Sequence, residues 1–125
     1  MSLLLDTQVL LWWLRNDRSL AKATRARIAD AETVVYVSAV SAWEIGIKKA
    51  LGKLSAPDDL GEQLRAGGFS ELPITIADGL LAGALPRHHD DPFDRMLVAQ
   101  AQRYRLTIVA RDSAFSTYGI AVLEA

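Results

Sequence analysis

Apolar and polar positions change period along this chain, and the changes mark out alternating strands and helices. Leu3 to Leu5 form a short apolar run of the kind that fills a buried strand. Val9, Leu10, Trp13 and Leu14 then recur at helical spacing, until Asn16, Asp17 and Arg18 interrupt it. Ser19 is placed to cap a second helix through Glu32, with Leu20, Ala23, Ile28 and Ala31 as its apolar face. Val34 to Val37, rich in β-branched and aromatic residues, predicts a second strand. Helical spacing resumes at Ser38 or Ser41 and runs to Leu51, where Gly52 ends it. Pro57 and Asp58 open a further helix that reaches Arg65 and stops at Gly67 and Gly68.

The second half repeats the alternation. Phe69 to Ile74 predicts a strand, Ile76 to Leu85 a helix and Pro86 to Pro92 a polar loop. Phe93, Leu97, Ala101 and Tyr104 are helically spaced over Pro92 to Tyr104, with proline in the first turn, where its missing N–H costs nothing. Thr107 to Ala110 predicts a strand, Ala114 to Tyr118 a turn of helix and Ile120 to Leu123 a last short strand. Parallel neighbours need crossover connections, so strands alternating with helices predict an α/β fold, a mainly parallel central sheet flanked by helices. With no internal repeat or linker, residues 1–125 are expected to form a single domain, long enough to bury a core without staples.

Composition narrows the chemistry. Half the residues are hydrophobic and 23% are charged, which excludes a disordered chain. There is no cysteine, so disulfides and thiolate zinc sites are impossible. His88 and His89 are adjacent, a spacing that does not put two rings on one side of a helix, and they are not read as ligands. The apolar start MSLLLDTQVLLWWL lacks a basic n-region and carries Asp6, so it reads as structure, not as an address. No run approaches the roughly 18 apolar residues of a membrane span, and a soluble, cytoplasmic protein is expected. The formal net charge of −1 means that any nucleic-acid contact must use a local basic patch.

Four acids stand where a predicted strand or loop hands over to a helix: Asp6, Glu44, Asp94 and Asp112. Each has an ordinary explanation as a helix cap. Asp6 and Asp112 are placed to cap directly, while Ser41 with Glu44, and Asp91 with Asp94, have capping-box spacing. Taken together they say more. In a parallel sheet, strand-to-helix junctions gather at one edge, where open α/β folds keep their sites. Converging carboxylates repel unless they share a proton or a cation. Oxygen donors without histidine or cysteine point to Mg2+ or Mn2+, and thereby to phosphate-ester chemistry.

Around these acids the segments LLLDTQVLLWWL, VSAVSAWEIGIKKALGKL, HHDDPFDRMLVAQAQ and TIVARDSAFSTYGI occur in order over nearly the whole chain. They resemble the signature blocks of PIN-domain ribonucleases, specifically the VapC-type toxins of type II toxin–antitoxin modules. The resemblance implies a Mg2+- or Mn2+-dependent endoribonuclease whose acidic quartet is Asp6, Glu44, Asp94 and Asp112. Asp6 and Asp94 rank first as direct metal ligands, with Glu44 and Asp112 holding a second ion or water and Glu44 available as the base. Asp90 or Asp91 is left to assist the site's charge, and Gln8 stands where relatives often carry histidine. Lys48, Arg95 and Arg111, close in sequence to the acids, are candidate RNA contacts. Trp12, Trp13 and Trp43 are expected to pack in the core, with Trp12 off the first apolar face. The family also implies a homodimer and a small antitoxin partner, through which alone DNA is met. A receiver domain wants paired acids after the first strand and a haloacid dehalogenase-type phosphatase an Asp at Gln8, so neither fits; a PIN-like binding module without catalysis is the alternative.

Overall fold

The computed structural model describes residues 1–125. Its elements are β1 (Ser2–Leu5), α1 (Thr7–Leu14), α2 (Lys22–Ala29), β2 (Val34–Ser38), α3 (Ala39–Ala50), α4 (Leu60–Ala66), β3 (Ser70–Leu72), α5 (Ile76–Ala84), α6 (Pro92–Tyr104), β4 (Thr107–Ala110), a 3₁₀ segment (Ser113–Tyr118) and β5 (Val122–Glu124). The five strands form one wholly parallel sheet in the order β3-β2-β1-β4-β5. The chain adds strands to one side of β1 and then crosses to the other. The crevice at the switch lies between β1 and β4, which pair Leu3 with Thr107 and Leu5 with Val109.

Side chains alternate across each strand, so each strand serves both faces of the sheet. Leu4 and Ile108 join Leu97, Val98 and Phe115 beneath α6, while Leu3, Leu5, Val35, Val37 and Val109 pack with Val9, Leu10 and Ile45 from α1 and α3. Burial on both faces explains the uninterrupted apolar run in β1: Leu3, Leu4 and Leu5 are all fully buried. Burying each such side chain contributes roughly 1.5–3 kcal/mol.

The elements follow the sequence pattern, with corrections at their ends. Helix α2 is shorter than Ser19 to Glu32. Ser19 does not cap it; its N–H donates to Asp17 Oδ1 at 2.8 Å and forms a turn. The buried face is Leu20, Thr24 and Ile28, while Ala23 and Ala31 are exposed, because an i, i+4, i+8 stripe faces the sheet more squarely than the spacing first read. Helix α4 starts at Leu60, later than Pro57, and β3 and β5 are three residues each. Trp43 is 62% exposed on α3, against the expectation of core packing, and touches Phe93 edge-on at 5.4 Å. One buried acid is structural: Asp78 closes a capping box with Thr75 at the start of α5 and is met by Gln100 and Arg103 of α6.

No helix is long and apolar enough to cross a membrane. The layering has a direct test. Leu4→Ala is expected to lower unfolding stability by about 2–5 kcal/mol. Leu80→Ala, at a side chain 71% exposed on α5, should change it by less than about 0.5 kcal/mol. Urea denaturation of the two variants measures both.

Candidate metal centre

Four separate segments deliver the four acids. Asp6 follows β1 directly and caps α1, its Oδ1 accepting from the Val9 N–H at 2.7 Å. Its own N–H donates to Val109 O at 3.1 Å, carrying the β1–β4 ladder one residue beyond the strand. Asp112 leaves β4 in the same direction and caps the 3₁₀ segment through Ala114 N–H at 2.9 Å. Asp94 lies in the first turn of α6, whose cap is Asp91, accepting from the N–H groups of Phe93 at 2.8 Å and Asp94 at 3.3 Å.

Glu44 arrives by a different route. Helix α3 is capped by Ser38, which accepts from Val40 N–H at 3.1 Å, so Glu44 falls in the second turn and the expected Ser41–Glu44 box does not form. Ser41 is instead buried within the helix and accepts a 3.0 Å hydrogen bond from Thr7 Oγ1. Residues three apart share a helix face, so this clamp between α1 and α3 turns Glu44 toward the end of β1. All four acids, with Asp91, line a single cleft of about 720 Å³. Asp90 does not line it.

The cleft holds its carboxylates under electrostatic tension. Asp6 is 7% exposed and its pKa is pushed up to about 7, chiefly by burial; the Val9 N–H opposes the shift, and the charges of Asp94, Glu44 and Asp112 add to it. Asp94 is pushed up to about 6, again chiefly by burial and then by Asp91, with His89 opposing. Glu44 is 5% exposed; Lys48 Nζ sits 2.5 Å from its Oε2, while Oε1 is buried with no hydrogen-bond partner. A buried carboxylate oxygen without a donor is costly in isolation, and a cation or a water brought into the cleft would relieve it.

The sequence reading passed over one member of this cluster. His89 Nε2 lies 2.8 Å from Asp94 Oδ2 and 3.6 Å from Asp112 Oδ2, and one donor atom from each of the three residues falls within 4.8 Å of the others. The two histidines do not act as a pair: His88 is exposed and stacks edge-on against Tyr118. The available signal was the position of His89 just ahead of a capped helix whose first turn carries an acid. Adjacency conceals it, because only His89 turns to the acids while His88 meets Tyr118. The carboxylate oxygens suit Mg2+ or Mn2+, so the acids fit the implied ion.

The candidate cations divide. Lys48 is beside the acids, held by Glu44. Arg111 lines the cleft, lies over the Trp12 ring at 4.4 Å and donates to the carbonyl oxygens of Ser19 and Ala125. Arg95 is not brought to the site. Its guanidinium donates to the carbonyl oxygens of Ala82, Gly83, Leu85, Pro86 and His89, because the segment joining α5 to α6 leaves those groups without helical partners. Arg15, Lys53 and Trp12 line the cleft instead, brought there by tertiary packing without a sequence signal.

The raised pKa values set a sign for metal-free stability. A carboxyl with a folded pKa above its unfolded value binds more protons when folded, so its stabilising contribution is present below pH 4 and lost as pH rises toward 7. In EDTA, the melting temperature of Asp6→Asn relative to the unsubstituted protein is therefore expected to rise between pH 4 and pH 7. A thermal-melt series over that range checks it; a difference that falls with pH contradicts the assignment.

The PIN domain family model matches residues 3–121. No curated protein matches the sequence. Solved structures share the fold over almost the full length of both chains. The structure of VapBC2 from Rickettsia felis bound to a promoter DNA fragment superposes with a TM-score of 0.73 at 11% identity, covering 98% of each chain. FitAcB from Neisseria gonorrhoeae gives 0.64 at 24% identity, covering 98% of this chain and 96% of the other. A toxin-antitoxin complex from Klebsiella pneumoniae gives 0.66 at 19% identity, covering 97% and 95%. With a family match that runs from β1 to the last turn before β5, this chain belongs to the PIN domain family.

Proposed function

We propose that this chain is a VapC-type toxin of a type II toxin–antitoxin module and that it hydrolyses RNA phosphodiesters with Mg2+ or Mn2+. The observation that carries the reading is the convergence of Asp6, Glu44, Asp94 and Asp112, from four segments, on one cleft in which Glu44 Oε1 is buried and unpartnered. PIN family membership supports nuclease chemistry. The module is supported by the similar folds, which are those of proteins in VapBC, FitAB and toxin-antitoxin complexes.

Asp6, Asp94 and Asp112 would hold the cation, Asp6 being buried and the Asp112 side chain 52% exposed. A divalent ion there supplies Lewis acidity toward the scissile phosphate and the attacking water. Glu44, whose Oε2 is paired with Lys48, would accept the proton of that water. Arg15, Lys53 and Arg111, which also line the cleft, offset the acids and meet the RNA backbone. The products are a 5′-phosphate and a 3′-hydroxyl. A small antitoxin restrains the activity, and DNA is met only through it. Ile76 and Leu80, exposed one turn apart on α5, form an apolar stripe suited to a second copy of the chain in a homodimer.

Cleavage of single-stranded RNA is expected with Mg2+ or Mn2+, to be lost in EDTA, and to fall by about 100-fold or more in Asp6→Asn and Asp94→Asn. Equal cleavage in all these conditions overturns the reading. Metal and RNA binding with no cleavage of any RNA favours a PIN-like binding module instead. Fluorescence anisotropy of single-stranded RNA on Asp94→Asn should weaken linearly with log salt. Arg15→Ala and Lys53→Ala are each expected to reduce that slope by about 0.7, the value for one phosphate contact.

A further inference from the structure

We propose that His89 is a nitrogen ligand of the metal centre and that it biases the centre toward Mn2+ over Mg2+. The inference rests on the metal-dependent reading above and goes beyond its acidic quartet. His89 Nε2 lies 2.8 Å from Asp94 Oδ2 and 3.6 Å from Asp112 Oδ2, spacings that neighbouring donors on one small cation adopt. The atom is buried and is paired with these two carboxylates of the cluster. Glu44 Oε1 is buried without a partner in the cleft that Asp94 and Asp112 also line. One nitrogen and two carboxylate oxygens within 4.8 Å of one another form a donor set that a mixed oxygen and nitrogen cation site would use.

The ring is ordered by contacts independent of any ion. The His89 N–H donates to Tyr118 Oη at 2.9 Å, and Tyr118 in turn donates to Pro86 O at 3.0 Å. The His89 carbonyl accepts from the Arg95 guanidinium, and Phe115 meets the imidazole edge-on at 6.2 Å. Arg95 thus acts on the centre as a positioning residue. Its role is to hold the loop that carries His89.

Two contacts change on ligation. The Asp91 N–H donates to His89 Nδ1 at 3.3 Å, which leaves the ring proton on Nε2. Coordination through Nε2 would move that proton to Nδ1, so ligation would give up both the Asp91 hydrogen bond and the Nε2 contact with Asp94, and the Asp91 N–H would have to turn away. Magnesium prefers an all-oxygen shell with several waters and gains little from imidazole, whereas Mn2+ accepts nitrogen more readily.

The test is electron paramagnetic resonance of Mn2+ bound to the full chain, with electron spin-echo modulation read on protein grown with natural-abundance or ¹⁵N-labelled histidine. His88 and His89 are the only histidines, and His88 faces solvent, so attribution is direct. We expect ¹⁴N modulation that is replaced by the ¹⁵N pattern on labelling. We also expect His89→Gln to weaken Mn2+ binding on the order of 10- to 100-fold, with Mg2+, read as a competitor, changing much less. Bound Mn2+ without nitrogen modulation overturns the inference and leaves the metal-dependent reading standing. No Mn2+ bound to the unsubstituted protein overturns both.

Discussion

Parallel pairing of β1 with β4 is the constraint on which this molecule's acidic edge depends. The register sets Leu5 beside Val109, and the Asp6 N–H reaches back to Val109 O, so the chain leaves both strands at the same edge and in the same direction. The connections that follow diverge, one into α1 and the other into the 3₁₀ segment, and a crevice opens between them. Asp6 and Asp112 are carried to that crevice by the backbone itself. The side chains beneath them, Leu3 to Leu5 and Ile108 to Ala110, are all buried, which makes the register hard to shift without exposing core on both faces.

Capping and ion binding are compatible tasks in this cleft because a carboxylate has two oxygens. Asp6 and Asp112 each use Oδ1 on a backbone N–H at the start of a helical segment, which fixes the rotamer and leaves the other oxygen for the cleft. Asp94 is relieved of capping by Asp91, and Glu44 is anchored through Lys48 on one oxygen only. The contrast with Asp78 is instructive. It is as buried as any acid in the chain, but Thr75, Gln100 and Arg103 satisfy it, so it joins α5 to α6 and asks for no ion. Burial of an acid does not distinguish the two roles; what its oxygens lack does.

The same distinction separates the arginines. Arg95 is adjacent in sequence to Asp94 but works on carbonyl oxygens of the α5–α6 connection, and Arg111, beside Asp112, is tied to carbonyls and to the Trp12 face. Guanidinium groups with several planar donors are suited to closing irregular backbone, which is why proximity in sequence to an acid misjudged Arg95. The loop that Arg95 closes carries His89, so a residue expected on the substrate is tied to backbone instead.

Much of this was legible in the order of residues. Alternation of apolar runs with helical spacing determined the parallel α/β architecture, because burial on both sheet faces requires it, and the α6 and β4 boundaries were read without error. The four acids were identified by their place at handovers and by the blocks around them. The contacts that orient the segments around those acids were not legible, since they join residues far apart in sequence, as Thr7 with Ser41 and His89 with Tyr118. Local periodicity records which face of an element is buried, and it carries no information on which elements meet. By itself the sequence determined which residues had to be inside and which acids had to stand at strand ends. Only the tertiary structure decided which oxygen atoms were left without partners, because hydrogen-bond satisfaction is a property of contacts between segments and not of any segment alone.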